Sequence, residues 1–405
     1  MTSVSTARPL RVGVVGLGWM GQVHARAYTR VGQHYLDAPL RPVLVAVADN
    51  AGDERLARSA AAYGFTDVHA DWRDLVARDD LDVVSITGPN FIHRDVAVAA
   101  AQAGKHVWLE KPAGRDAEET AEIAAAVDRA GVQTAVGFNY RNAPAVELAR
   151  RLVTEGRLGQ VEQVRITMLA DYAAHPEGAL TWRYQNAWSG SGVLGDLVSH
   201  GVDLGRYVVG EIESLVCDTA TFIAERPALS GAAFAHTARG TGALAPVENE
   251  DYAGALLRFA GGARGTLESS RVAVGEQCTY GIEVHGDRGA LAWDFRRMGE
   301  LRVCLDQEVT DAAYATHHVT PADGDLGAFQ PGSGIAMSYD DLKVVEAHRL
   351  IRSIASGTPE GATITDALRA ARLVDAMAVS ARERRWVDTA PVGLCADKGA
   401  QGDLG

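Results

Sequence analysis

Two side chains set four residues apart carry the first chemical signal. Asp196 and His200 lie in the run Gly192-Val193-Leu194-Gly195-Asp196-Leu197-Val198-Ser199-His200-Gly201-Val202-Asp203. On a helix that spacing turns both to one face, and Asp203 follows three residues further along it. An imidazole placed there can take a proton from a hydroxyl and return it. Asp196 can orient that ring or hydrogen-bond a substrate itself. The plainer reading is a capped helix with a packed or solvated histidine. Lys111 is the second signal. It follows the apolar stretch His106 to Leu109 and stands between Glu110 and Pro112. The end of a strand is the carboxyl edge of a parallel sheet, where such sheets bind ligands. A cation there can hold an alkoxide as it forms. The common fate of a lysine is a solvated ion pair, here with Glu110. The apolar strand before it and the proline after it weigh against that.

Gly16, Gly18 and Gly21 form GxGxxG directly after the apolar run Leu10 to Val15 and open a helical segment, Met20 to Arg30. The glycines have separate reasons: a tight turn, close backbone approach to a pyrophosphate, and close helix-to-strand packing. The helix N-terminus then offers free N–H groups and its positive dipole end to phosphates. The pattern alone is weak in a chain with 43 glycines; the flanking strand and helix strengthen it. Trp19 and Met20, inside the motif, are expected against the same dinucleotide. Asp49 ends the second strand, Val43 to Ala48. A carboxylate there accepts ribose hydroxyls and repels a 2′-phosphate, which favours NAD over NADP. It lies farther from Gly21 than the usual ~20 residues, and a loop insertion at Gly32 to Pro42 accounts for the excess. The rival role for Asp49 is to cap the helix starting near Asp53. Arg55 keeps NADP open as an alternative cofactor.

Two further stretches are Thr87-Gly88-Pro89-Asn90-Phe91-Ile92-His93 and Glu110-Lys111-Pro112. With the glycine loop and the DxxxHxxD run, they make the chain resemble the glucose–fructose oxidoreductase / inositol dehydrogenase / rhizopine catabolism (Gfo/Idh/MocA) family from about residue 10 to 385. The resemblance implies an NAD-dependent dehydrogenase acting on a secondary alcohol of a sugar or cyclitol, with Lys111, Asp196 and His200 as its catalytic triad, all three also touching substrate. It implies that Thr87, Pro89, Asn90, His93, Glu110, Lys111 and Asn139 line the cofactor, and that Tyr140 and Arg141 reach the nicotinamide or the substrate. His93 reads equally well as a cap for a helix beginning near Arg94. Trp182 and Arg183 precede the DxxxH helix; an aromatic ring beside arginine suits the C–H face of a sugar, and interface or core is the alternative. Asp171 and Tyr172 are candidate site-lining residues, and His348 reads as a surface histidine. No metal is expected. Two other classes stay open: a redox-neutral cycle such as glycoside cleavage or epimerisation on bound NAD, and a dinucleotide-binding sensor. The sensor ranks last because Lys111, Asp196 and His200 are all present.

Segments of two kinds must position these residues. Up to residue 142, strand-like and helix-like stretches alternate, ending with a helix at Asp116 to Ala130 closed by Gly131 and a strand at Gln133 to Gly137. That alternation predicts an α/β Rossmann domain with a doubly wound parallel sheet over 1–142. Residues 143–390 begin with a helix at Pro144 to Glu155 and continue in β-branched runs joined by turn residues. They predict an α+β domain with a large, mostly antiparallel open sheet, closed by two amphipathic helices at Asp340 to Ser356 and Thr365 to Ala381. Residues 391–405 form a tail. Two Gly- and Ala-rich stretches, Gly231 to Pro246 and Thr320 to Gly334, read as loops. At 405 residues the chain suits two domains. Its net charge of −13 argues against a nucleic-acid partner. Met1 to Arg8 lacks the pattern of an export signal, and no apolar stretch is long enough to span a bilayer. The four cysteines are scattered, as for free thiols in a reducing cytoplasm. The open sheet wants a cover, so a homodimer or homotetramer is expected.

Overall fold

The computed structural model describes residues 8–50, 54–229, 239–305 and 308–389. Arg55's side chain, the start of the first Gly- and Ala-rich loop and the tail at 391–405 lie outside the described residues.

The first domain alternates as its pattern requires. Its elements are β1 (Arg8–Val15), α1 (Trp19–His34), β2 (Leu40–Ala48), α2 (Glu54–Tyr63), β3 (Asp67–His69), α3 (Trp72–Val76), β4 (Val83–Ile86), α4 (Asn90–Gln102), β5 (His106–Leu109), α5 (Ala117–Ala130) and β6 (Thr134–Val136). The strands pair in parallel in the order β3-β2-β1-β4-β5-β6. Order reverses between β1 and β4, so the loops leaving these neighbours part and open a crevice at the carboxyl edge. Local chemistry sets the helix ends. Asp116 caps α5 by accepting from Glu119 N–H, and Gly131 stops it at φ +65°. One helix starts earlier than its pattern suggested: α4 begins at Asn90, after Pro89, and not near Arg94. His93 therefore sits within its first turn and does not cap it.

The second domain comprises α6 (Pro144–Thr154), β7 (Val161–Leu169), α7 (Asn186–Ser189), α8 (Ser199–Val208), β8 (Ile212–Ala220), β9 (Glu225–Pro227), β10 (Leu244–Pro246), β11 (Tyr252–Phe259), β12 (Arg264–Ser270), β13 (Thr279–Gly286), β14 (Ala290–Asp294), β15 (Glu300–Cys304), β16 (Ala315–His318), α9 (Leu326–Phe329), α10 (Tyr339–Ser356), α11 (Ile364–Glu383) and β17 (Val387–Asp388). Nine strands form one sheet in the order β16-β15-β14-β13-β7-β12-β11-β8-β17, antiparallel except where β7 runs parallel to β12. Burial alternates along β11 and β12, so one face carries Leu257, Phe259 and Leu267 into the core while Leu256 stands exposed on the other. The second Gly- and Ala-rich loop is less irregular than its composition implied, since it contains α9, whose Phe329 stacks on His34 of α1. Helix α10 returns to the first domain. Its Val344, Ala347, Leu350 and Ile351 share a core cluster with residues of β1, α1 and β2. His348 stacks on Tyr35 with ring centres 3.7 Å apart and is buried, which corrects its reading as a surface residue. Cys217, Cys278 and Cys304 are free thiols. Among the described residues no helix is long and apolar enough to cross a membrane.

The domains are tied by buried charge. Arg141, just beyond β6, donates from Nε to Asp203 Oδ2 of α8 at 2.7 Å and from Nη2 to Asp203 Oδ1 and to Asp366 of α11. The guanidinium also lies 4.9 Å from the centre of the Tyr207 ring. Arg141, expected at the nicotinamide or the substrate, thus forms a strut between the domains. Asp203 likewise faces the strut. Replacing Arg141 by Met would strand Asp203 in the interior. The expected loss is about 3–5 kcal/mol, read as a lower denaturant midpoint with an unchanged slope.

Candidate active site

Lys111 leaves the end of β5 and reaches across to the second domain. Its Nζ donates to Asp196 Oδ1 at 2.7 Å and to the Asp196 carbonyl at 2.8 Å. The other carboxylate oxygen accepts from Tyr172 Oη, at the end of β7. Asp196 does not lie on regular α-helix. Leu194–Val198 winds as one π-type turn that runs into α8, a widening that recurs at functional sites. Glu250 fixes the start of this turn by accepting from Gly192 N–H at 2.8 Å and Leu194 N–H at 2.9 Å. The widened turn alters the four-residue spacing. The Asp196 carboxylate engages Lys111 and Tyr172, while the His200 ring lies against Tyr140 at 4.6 Å and Phe138 at 5.9 Å. Asp196 thus joins Lys111 and Tyr172 across the cleft.

The electrostatics follow from burial. His200 is only 7% exposed. Burial first, and then the Lys111 cation, push its proton affinity well below the ordinary value of 6.5, with Asp196 opposing. The ring is therefore neutral near pH 7 and able to accept a proton. Tyr140 and Tyr172 are pushed well above the usual phenol range, by burial before anything else, so both stay protonated.

Other expected residues divide into two groups. Trp182, Arg183 and Asn90 stand along the same cleft. The Arg183 guanidinium covers Trp182 at 4.4 Å, burial lowers its pKa, and Asp196 and Tyr172 are charged or polar neighbours. Phe91 meets Trp188 and Trp182 edge-on at 4.7 and 6.3 Å. Asn90 Nδ2 spans the domains to the Ser189 carbonyl at 3.0 Å. The second group serves the scaffold. Thr87 Oγ1 donates to the carbonyls of Val15 and Gly16, bracing the glycine loop. Both His93 ring nitrogens face backbone carbonyls, Pro112 at 2.8 Å and Gly88 at 2.9 Å, so the ring clamps the two loops together. Glu110 was expected to line the cofactor. Its carboxylate turns inward to His24 and Lys343.

The crevice fits a dinucleotide on three observations. A Cβ on Gly18 would meet nothing within 4 Å, whereas one on Gly16 (φ +91°) would strike Gly88 and one on Gly21 would lie 2.0 Å from the Gly16 carbonyl oxygen. The three glycines thus divide into turn, open approach and tight packing. Asp49 ends β2 and holds the loop by accepting from Leu17 N–H at 2.7 Å. Asn139 is 1% exposed, yet neither its amide nitrogen nor its oxygen has a partner, a costly state that a bound carboxamide or hydroxyl would relieve. Trp19 stacks on Tyr339 at 5.4 Å, and Met20 Sδ accepts from the Tyr339 hydroxyl at 3.8 Å. Sequence reasoning missed Tyr339 and the aromatic wall of Tyr280, Trp293 and Phe295 around Tyr140. These come from distant strands and a helix, and carry no motif.

The model for the oxidoreductase family with an NAD-binding Rossmann fold matches residues 10–138, and the GFO/IDH/MocA C-terminal domain matches 146–292. Levoglucosan dehydrogenase of Pseudarthrobacter phenanthrenivorans is 36% identical over 94% of this chain and 98% of its own. Inositol 2-dehydrogenase of Rhizobium meliloti is 28% identical over 94% of this chain and 99% of its own. Among solved structures, levoglucosan dehydrogenase in complex with NADH superposes with a TM-score of 0.88 at 34% identity, over 94% of this chain and 99% of that one.

The glycine geometry makes a separable prediction. Gly18→Val places its side chain in open space, so it should keep the unfolding midpoint while weakening NADH binding by about tenfold or more, ~1.4 kcal/mol. Gly21→Val must push against Gly16 and should instead destabilise the fold by roughly 1–3 kcal/mol. NADH fluorescence titration beside thermal unfolding checks both.

Proposed function

The chain belongs to the GFO/IDH/MocA family of NAD-binding oxidoreductases, and from that premise we propose that it oxidises a secondary alcohol of a sugar, anhydrosugar or inositol with Lys111, Asp196 and His200 as its catalytic groups. The observation that carries this reading is the Lys111–Asp196 bond across the domains, with a neutral His200 beside it. NAD, when bound, would supply the hydride acceptor for oxidation and, reduced, the hydride donor for reduction. Gly16, Gly18 and Gly21 would hold its pyrophosphate, Asp49 its adenosine ribose and Asn139 its nicotinamide half.

The protein's own groups handle the proton and the charge. A ring nitrogen of His200 takes the hydroxyl proton, and its lowered proton affinity keeps the ring unprotonated and free to do so near neutral pH. Lys111 Nζ donates to the oxygen as negative charge grows on it, where a fixed cation is most effective. Asp196 keeps that ammonium aimed, and Tyr172 keeps Asp196 aimed. Trp182, Arg183 and Phe91 offer ring faces and a guanidinium to a polyhydroxylated substrate. The levoglucosan dehydrogenase likeness, close to full length on both chains, favours an anhydrosugar first and an inositol second. The reading places the enzyme in the cytoplasm as a homo-oligomer, in keeping with its free thiols and its partly bare sheet face.

A panel of monosaccharides, levoglucosan and inositols, followed by NADH absorbance with NAD and NADP in parallel, tests the proposal. Net NADH formation with at least one member is expected; turnover with only catalytic NAD would move the reading to a redox-neutral cycle. His200→Ala should lower kcat by about a hundredfold or more with NADH affinity retained, and a fully active variant would sink the assignment. The acid limb of kcat/KM should lie below the ordinary imidazole value of 6.5. The sign follows from a base that works only unprotonated. In Lys111→Met the cation that lowers His200 is gone, so the limb of any residual activity should move up in pH.

A further inference from the structure

Beneath the catalytic lysine lies a buried charge cluster built from both ends of the chain. Lys343 of α10 is fully buried, at 0% exposure. Its Nζ donates to Glu110 Oε1 at 2.6 Å and to Glu346 Oε1 at 2.9 Å. His24 Nε2 of α1 meets Glu110 Oε1 at 2.9 Å, and Trp108 Nε1 of β5 donates to Glu346 Oε1 at 2.6 Å. The His24 ring stacks on Trp108 with centres 3.6 Å apart. His24, Glu110 and Glu346 bring their ligand-type atoms within 4.8 Å of one another, but the ammonium of Lys343 supplies the positive charge there, so the group is an ion cluster and not a metal site. Burial alone would raise Glu110; Lys343 and His24 overcome it and hold the carboxyl low, while burial raises Glu346. The cluster so balances one cation against one firmly ionised carboxylate.

Position gives the cluster its consequence. Glu110 is the residue immediately before Lys111. Its N–H is bonded to the Ile86 carbonyl at 3.0 Å, which continues the ladder to β4. Its carboxylate lies under the end of β6, where a Cβ on Gly137 would come within 2.5 Å of Glu110 Oε2. The strand ends that carry Lys111 and Asn139 therefore rest on one side chain. We propose that Lys343 is a positioning residue for catalysis: by anchoring Glu110 from α10, it fixes the end of β5 so that Lys111 faces Asp196. This rests on the reading of Lys111 as a catalytic group. It also gives the return of α10 to the first domain a role in the reaction, since a helix more than two hundred residues downstream supplies the anchor.

The test uses Lys343→Met, Glu110→Gln and the double variant, assayed with the panel alcohol that the wild-type enzyme oxidises fastest. Each single variant should lower kcat by about tenfold or more, with KM for NAD and for the alcohol within about twofold. The double variant should be no worse than the more impaired single, because both changes break the same Lys343–Glu110 contact. Multiplying effects, or an unchanged kcat in Lys343→Met, would overturn the proposal. So would a loss explained wholly by the unfolded fraction, measured by NADH fluorescence titration. Should Lys343→Met fail to fold by leaving Glu110 unbalanced, the double variant, which carries no such lone charge, is compared with Glu110→Gln. Equal kcat supports the anchor, and a further tenfold loss overturns it. Lys111→Ala separates the two readings, since full activity there removes the catalytic assignment whatever the anchor variants do.

Discussion

Everything at the site depends on an ammonium from one domain meeting a carboxylate from the other. Lys111 and Asp196 are partly exposed, with side chains 15% and 36% accessible. A pair so placed adds little to stability, because water competes for both partners and long side chains lose freedom. It cannot therefore hold the domains in register by itself. That work falls to other charged groups, of which the Arg141–Asp203 pair is the most deeply buried, with side chains 8% and 3% accessible. Arg141 joins Asp203 and Asp366 across the boundary. Arg349 of α10 joins Asn142 and Asp325 with Glu147. The buried Arg141–Asp203 charge, costly to unpair, braces the frame, while the Lys111–Asp196 pair stays accessible.

The same ammonium tunes its neighbour. Lys111 lowers the proton affinity of His200 and Asp196 raises it, and burial outweighs both. The π-type turn carries the Asp196 carboxylate to Lys111 and Tyr172, and the imidazole of the following helix lies against Tyr140 and Phe138.

The sequence reveals short-range order far better than long-range partnership. The first domain was readable because each strand and helix carries its own period and its own stop, Gly131 and Pro89 among them. The place of Lys111 just past a strand was readable from the apolar run before it, whereas the π-type turn at Asp196 was not. The partners of Glu110 and Arg141 were not readable, for one common reason. Each stands in a motif at the sheet edge, yet its charge is answered by a residue far along the chain, Lys343 or Asp203 with Asp366. Spacing cannot disclose such a partner. Lys343 itself is flanked by Leu342, Val344 and Val345 on a helix whose period suits an amphipathic surface, and lysine in that setting reads as solvent-facing. Only tertiary packing shows that its face is turned inward. The start of α4 was misplaced by four residues because Pro89 permits a helix at once, while the apolar period becomes evident only later.

On the proposed reading, chemistry and specificity come from different materials. Lys111 sits on a strand end, and Asp196 and His200 on a helix braced by Glu250; all are held by backbone ladders and buried contacts. The ring faces that would meet the rest of the substrate, Trp182 and Trp188, stand between β7 and α8, where only short helical turns order the chain. Segments of that kind accept substitutions without disturbing the sheet. In this chain one side of the cleft is aromatic, and Phe91, contributed by the nucleotide domain itself, meets Trp182 and Trp188 edge-on, so the ring faces bridge the same two domains that Lys111 and Asp196 join.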